Sequence, residues 1–259
     1  MRFEVDEFTG LLETQISSAV RNIAGAHWDE DHITFTVLAE LNDTLANANF
    51  SGRGHRREVE WESYKLRGKS ENKFGDIAIV VAISYRDGTH LEGVAFLEAK
   101  RRDWRKTTFS SMNMKQLKRI LKNAPRANYL LYDYEDITGF SNYESFGSDV
   151  RRYRNYLESH LTETTRALCV PLNVAEATGF KDTILYRHGI PLSMMLTNRY
   201  FFGLDLEFDE TAKAVATGFL DKFGLPRFVM KVDIVEPGAE LTRRKLPVNE
   251  KIYEKLGKR

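Results

Sequence analysis

Asp76, Glu98 and Lys100 are the residues of this chain whose types and spacing could act together on a substrate. Residues 77–83 (IAIVVAI) and 94–97 (VAFL) are buried-strand material. Between them Arg86-Asp87-Gly88-Thr89 offers hairpin-turn chemistry, because glycine accepts the positive φ of tight turns. With the turn centred on Asp87-Gly88, facing residue numbers sum to about 175 and Asp76 lies opposite Ala99. A turn differing by one residue puts Asp76 opposite Glu98. Either register brings Asp76 beside Glu98-Ala99-Lys100. Side chains alternate along a strand, so Glu98 and Lys100 share a face with Val94 and Phe96. Two carboxylates on one rim are costly unless a cation or a proton neutralises them. Mg²⁺ (or Mn²⁺) suits one or two carboxylates and keeps positions for water and a substrate phosphate. A metal-bound water is acidified, and a nearby lysine can help deprotonate, orient or offset charge on it. The bland alternative is a strand-end salt bridge from Lys100 to one of the acids.

The elements that must position these residues follow from periodicity. Helices are expected over about 7–24, 30–46 and 110–123, the last closed by Pro125, and the stretch 47–56 reads as a loop. Strands are expected over about 58–66, 75–85, 92–100, 129–134 and 166–174. Residues 138–149 read as a loop and 150–160 as a helix. Helices near 191–202 and 210–223, then a strand at 227–235, complete a mixed α/β pattern. Residues 1–175 form the expected core, and 176–259 a helix-helix-strand extension packed on it as one domain.

The formal charge of +1, from 38 Lys+Arg against 37 Asp+Glu, hides a strong asymmetry. Lys100 to Arg126 holds ten basic residues against Asp103 alone, so the remainder is acidic overall. On the helix in this segment, with Met114 as origin, Leu117, Ile120 and Leu121 fall between about 240° and 340°. Lys115, Lys118, Arg119 and Lys122 fall between about 40° and 140°, and Gln116 near 200°. One side is core and the other a basic ridge, as a polyanion-binding face requires. Smaller basic clusters stand at 53–57, 151–154 and 243–245.

Phe74-Gly75-Asp76-Ile77-Ala78-Ile79-Val80 followed by Phe96-Leu97-Glu98-Ala99-Lys100 resembles the PD-(D/E)xK nucleases. The resemblance spans roughly residues 27–135, with Gly75 where the family has proline. It implies a restriction-endonuclease-like fold: a mixed central sheet flanked by helices. It also implies that Asp76 and Glu98 hold a divalent metal while Lys100 supports the attacking water. Family members often add an acid from the preceding helix; Glu30 is the first choice here, Glu40 its substitute, and Glu71 a loop candidate. Gln116 resembles the glutamine that several subfamilies place near the metal.

Other chemistries find little support. One cysteine, Cys169, makes neither an intrachain disulfide nor a cysteine-rich zinc site. The six histidines lack paired ligand spacing, and there is no phosphate-cradling glycine loop. Ser110-Ser111 lacks a base-and-orienter arrangement. The run Ile77–Ile83 is too short to span a bilayer, and the N-terminus does not resemble a signal peptide. The expected function is a cytoplasmic Mg²⁺-dependent DNA endonuclease in restriction or antiphage defence, acting as a homodimer or with a targeting partner. Arg101, Arg102, Lys115, Lys118, Arg119 and Lys122 are its expected nucleic-acid contacts. The competing expectation is a non-catalytic nucleic-acid-binding or assembly subunit with a nuclease-like fold.

Overall fold

A computed structural model describes residues 2–25, 28–45, 47–52, 55–68, 73–140, 164–222, 224–239 and 247–257. The expected helix at 150–160, the basic clusters at 151–154 and 243–245, Arg53 and Glu71 lie outside the described residues. Among them are strands β1 (Arg2–Glu4), β2 (Asn47–Gly52), β3 (His55–Leu66), β4 (Ile77–Ser84) and β5 (His90–Arg101). β6 (Asn128–Ile137), β7 (Thr165–Pro171), β8 (Ile190–Pro191), β9 (Phe228–Val235) and β10 (Tyr253–Lys255) follow. All ten join one sheet in the order β1-β2-β3-β9-β4-β5-β6-β7-β8, with β10 paired to β3. β1 with β2, β4 with β9 and β5 with β6 are parallel; the other pairs are antiparallel. The fold is α/β, a mixed sheet flanked by helices.

Alternation along the central strands divides the core into two layers. Ile77, Ile79, Val81 and Ile83 face one side with Ala95, Leu97 and Ala99. There they meet α1 (Val5–Ile23) and α2 (Glu30–Leu45), whose stripes Phe8, Leu12, Ile16, Val20 and Ile33, Val37, Leu41 are buried. Ala78, Val80, Val94 and Phe96 face the other side, against Leu117 and Ile120 of α3 (Met114–Asn123). No helix among the described residues is long and apolar enough to cross a membrane.

Three expectations change. The segment 176–259 is not added to a finished core: β9 lies between β3 and β4, so a boundary at 175 cuts through the sheet. The polar stretch expected as a loop at 47–56 supplies β2 and the start of β3, because pairing to β3 satisfies its backbone whatever its side chains are. The strand expected to run to 174 stops at Pro171, and Leu172–Thr178 is a short helix with Gly179 at φ +68° behind it.

Glu13 gives the fold a pH dependence. It is buried on α1 and accepts hydrogen bonds from Ser17 (2.8 Å) and Ser193 (2.6 Å). Burial raises its carboxyl above the ordinary range, more than the hydroxyl donors lower it. The folded chain therefore holds this proton longer than the unfolded one. Its stabilising contribution is complete below the unfolded pKa and is lost as pH rises through the folded one. Glu13→Gln is expected to match the parent near pH 4 and to exceed it by on the order of 1 kcal/mol at pH 8. Urea denaturation at both pH values measures this; an identical offset at the two would contradict it.

Candidate active site

The β4–β5 turn settles the register that the sequence leaves open. Tyr85 N–H donates to Thr89 O (3.0 Å) and Gly88 N–H to Tyr85 O (3.1 Å), with Gly88 at φ +83°. This is a three-residue loop, Arg86-Asp87-Gly88, closed by glycine in the left-handed region. Ile77 consequently pairs with Leu97, and one step further places Asp76 across from Glu98. The second of the two expected registers is the one formed.

Gly75 makes that approach possible. Its φ of +133° is closed to proline and strained for other L-residues. A Cβ there would lie 2.8 Å from Leu97 O. The proline of the resembled motif has no room here, and glycine stands in its place for a physical reason. Asp76 then bridges three strands. Its Oδ2 accepts from Ala99 N–H of β5 (3.3 Å), and its carbonyl accepts from Phe228 N–H of β9 (3.0 Å).

Glu98 and Lys100 are buried on the face covered by α3. Lys100 Nζ donates to Glu98 Oε1 at 2.6 Å, and Gln116 Nε2 donates to the same oxygen at 2.6 Å. Gln116 is aimed by its helix: Asn113 Oδ1 caps α3, accepting from Lys115 N–H (2.9 Å), and Gln116 in the first turn reaches Glu98. Glu30 reaches in from α2. Its Oε1 accepts from Arg101 N–H (3.2 Å) and Ser111 Oγ (2.6 Å), and its Oε2 lies 3.7 Å from Lys100 Nζ. Glu40 is exposed and takes no such place. Five side chains from four elements thus meet at one end of β5.

Electrostatics follow from burial and from like charge. Burial, then the Glu98 charge, hold the Asp76 carboxyl well above its ordinary value. Burial also raises Glu98, against the opposing pull of Lys100. For Lys100, burial opposes the charge, but Glu98, Glu30 and Asp76 outweigh it and raise the ammonium above the usual lysine range. Lys100 is a firmly protonated cation in this arrangement.

Among the described residues no three acidic, histidine or cysteine side chains are gathered as a ready cage for a cation. The chemistry of the donor set nonetheless suits a hard divalent ion. Asp76 and Glu98 are oxygen donors whose shared charge lacks full compensation, and Mg²⁺ needs only one or two protein carboxylates. Glu30, now turned toward Lys100 and Ser111, stands at the edge of that set.

The basic residues divide in two. Lys115, Lys118, Arg119 and Lys122 are exposed along α3, opposite buried Leu117 and Ile120, so the ridge exists as the periodicity requires. Arg101, half-buried, lies on the face opposite Lys100. Arg102 departs from the expected phosphate-binding role because its donors are spent within the fold. Nη1 meets both oxygens of buried Asp133 (3.1 and 2.9 Å), and Nη2 meets Tyr134 Oη (2.9 Å) and Glu135 Oε2 (2.8 Å). Asp133 also accepts from Tyr186 Oη (2.6 Å). Two residues of the site were not expected. Ser111 acts through a hydroxyl aimed at Glu30, and Trp28 Nε1 donates to Arg102 O (2.7 Å) two residues ahead of Glu30. Cys169 is core, as its apolar strand suggests.

No protein-family model, curated protein or solved structure matches this chain.

Proposed function

We propose that this chain is a metal-dependent nuclease of the PD-(D/E)xK type with a restriction-endonuclease-like fold. It hydrolyses phosphodiester bonds in nucleic acid, DNA foremost, in the setting of restriction or antiphage defence. The observation that carries this reading is the convergence of Asp76, Glu98, Lys100 and Gln116 across the β4–β5 pair, beside the exposed cations of α3. A purely structural ion pair would need one acid for Lys100; here Glu98 lies at 2.6 Å and Glu30 at 3.7 Å, and the Asp76 charge also acts on it.

Asp76 and Glu98 would hold Mg²⁺ or Mn²⁺, with Glu30 at the periphery. Bound there, the ion supplies Lewis acidity toward the phosphate and acidifies a water. Lys100, fixed by Glu98 and Glu30, orients the attacking oxygen and offsets negative charge developing near it. Gln116 holds Glu98 Oε1 in place, leaving the other oxygen for the ion. Lys115, Lys118, Arg119 and Lys122 neutralise the phosphate backbone.

Incubating the protein with plasmid DNA in Mg²⁺ or in EDTA, beside Lys100→Ala, tests the reading. Cleavage in Mg²⁺ alone, lost by at least about 10²-fold in the variant, is expected. Cleavage indifferent to both EDTA and the substitution would sink it. The Lys100–Glu98 contact favours one second reading, a binding or assembly subunit whose lysine permanently neutralises the acids. That reading requires DNA binding with no response of the protein's stability to Mg²⁺ or Mn²⁺.

A further inference from the structure

Four residues beyond Lys100 the chain exposes an aromatic surface that neither the core nor the proposed chemistry uses. Trp104 is 47% exposed, and its ring lies on Tyr134 with centroids 4.5 Å apart at 41°. Beneath that outer ring lie half-buried groups. Trp28 meets Tyr134 edge-on at 5.7 Å, and the Arg102 guanidinium sits 4.5 Å from the centre of the Tyr134 ring.

The loop that carries Trp104 is pinned. Asp103 accepts from Thr108 Oγ1 (2.7 Å) and Ser110 Oγ (2.6 Å), and Arg105 N–H donates to Tyr134 Oη (2.7 Å). Thr183 N–H donates to Thr107 O (2.9 Å) and Phe109 N–H to Lys181 O (2.9 Å). Arg105 takes a left-handed φ of +58°, a conformation that costs about 1 kcal/mol in a non-glycine residue and here turns the chain directly after the indole. The loop is also tied to the site from both sides. Arg102 continues the strand of Lys100, and Trp28, which leads to Glu30, donates to the Arg102 carbonyl. Exposed Arg105 and Lys106 follow the indole.

We infer that Trp104, backed by Tyr134, is a stacking platform for an unpaired base of the nucleic acid engaged at the Asp76–Glu98 site. The inference rests on the nuclease reading and narrows its substrate class to nucleic acid with a single-stranded stretch, such as an overhang, a flap or a free strand. A base inside a duplex has both faces covered by its neighbours, whereas an unpaired base presents a face to an indole regardless of sequence. Arg105 and Lys106 supply the cations that hold the adjoining backbone.

Fluorescence anisotropy in EDTA reads binding without cleavage, using a labelled single strand of about 12 nucleotides and the matching blunt duplex. Trp104→Ala is expected to weaken single-strand binding about tenfold and duplex binding by less than about twofold. Trp104→Phe, which keeps a ring, should stay within about threefold of the parent on the single strand. In the parent the single strand should quench tryptophan emission, and Trp104→Phe should lose that quench; this readout stands even if the alanine variant fails to fold. Unchanged single-strand affinity in Trp104→Ala, equal losses on both substrates, or no single-strand binding by the parent would overturn the platform. Mg²⁺-dependent plasmid cleavage that persists alongside any of those results leaves the nuclease reading standing, while Lys100-independent cleavage removes that reading instead.

Discussion

Asp76→Asn is expected to abolish Mg²⁺-dependent cleavage, by about 10³-fold or more, and at the same time to make the protein more stable in EDTA. The two effects share one cause. Asp76 and Glu98 are carboxyls forced together where β4 enters the sheet; burial raises both above their ordinary values, and the Glu98 charge raises Asp76 further. An amide at position 76 can still accept from Ala99 N–H, and its NH₂ can donate to Glu98 in place of the repulsion. Removing the one carboxylate charge that Lys100 leaves uncompensated is worth about 1–3 kcal/mol, at about 2–4 °C of thermal midpoint per kcal/mol in a chain of this size. Millimolar Mg²⁺ should raise the parent's midpoint and leave that of the variant where it is, because a ligand stabilises only the state that binds it. A variant that still cleaves, or one that is less stable than the parent in EDTA, would show Asp76 to be a structural acid.

Gly75→Ala should cost about 2–4 kcal/mol of stability, read as a lower urea midpoint at unchanged slope. Two independent penalties meet at this position. The backbone at φ +133° is one that an alanine resists, and the added methyl would lie 2.8 Å from the Leu97 carbonyl oxygen. That oxygen is backbone within the β4–β5 ladder, so the collision cannot be relieved by a side-chain rotation. Relief requires Asp76 to move away from Glu98. Metal-dependent activity is therefore expected to fall further than the loss of folded protein explains. A change under about 0.5 kcal/mol would mean that the strand entrance is plastic and that the pairing of the two acids is not enforced by Gly75.

How much of this was legible in the order of residues depends on distance along the chain. The β4–β5 hairpin joins strands that end at Ser84 and begin at His90, and its turn carries its own chemistry in Asp87-Gly88, so the meeting of Asp76 with Glu98 and Lys100 was readable. Only the choice between two registers was open, because Asp87-Gly88 serves a two-residue or a three-residue loop equally well. The basic ridge and the inward side of α3 were readable for the same local reason, since helical rotation alone separates Lys118 from Ile120. Helix α2 and its inward Glu30 came from a stripe of the same kind, although what Glu30 touches did not.

Where local rules end, the readings failed in a consistent way. β9 enters the middle of the sheet beside β4, about 150 positions away in the chain, and nothing in residues 228–235 marks which strands they join. β2 carries polar residues through a stretch that periodicity treats as a loop, because its backbone partner on β3 decides its state. Arg102 looked like one cation among ten until Asp133, Tyr134 and Glu135 of β6 were found around it. Local patterning sufficed for an α/β chain, the hairpin that pairs two acids with a lysine, and a cationic helix after it. Long-range packing was needed to bring Glu30 and Ser111 to the site, to spend Arg102 internally, and to leave Trp104 exposed on Tyr134. The reason is that patterning along a chain specifies which face each side chain presents, whereas which faces meet is set by packing and backbone pairing between segments far apart in sequence.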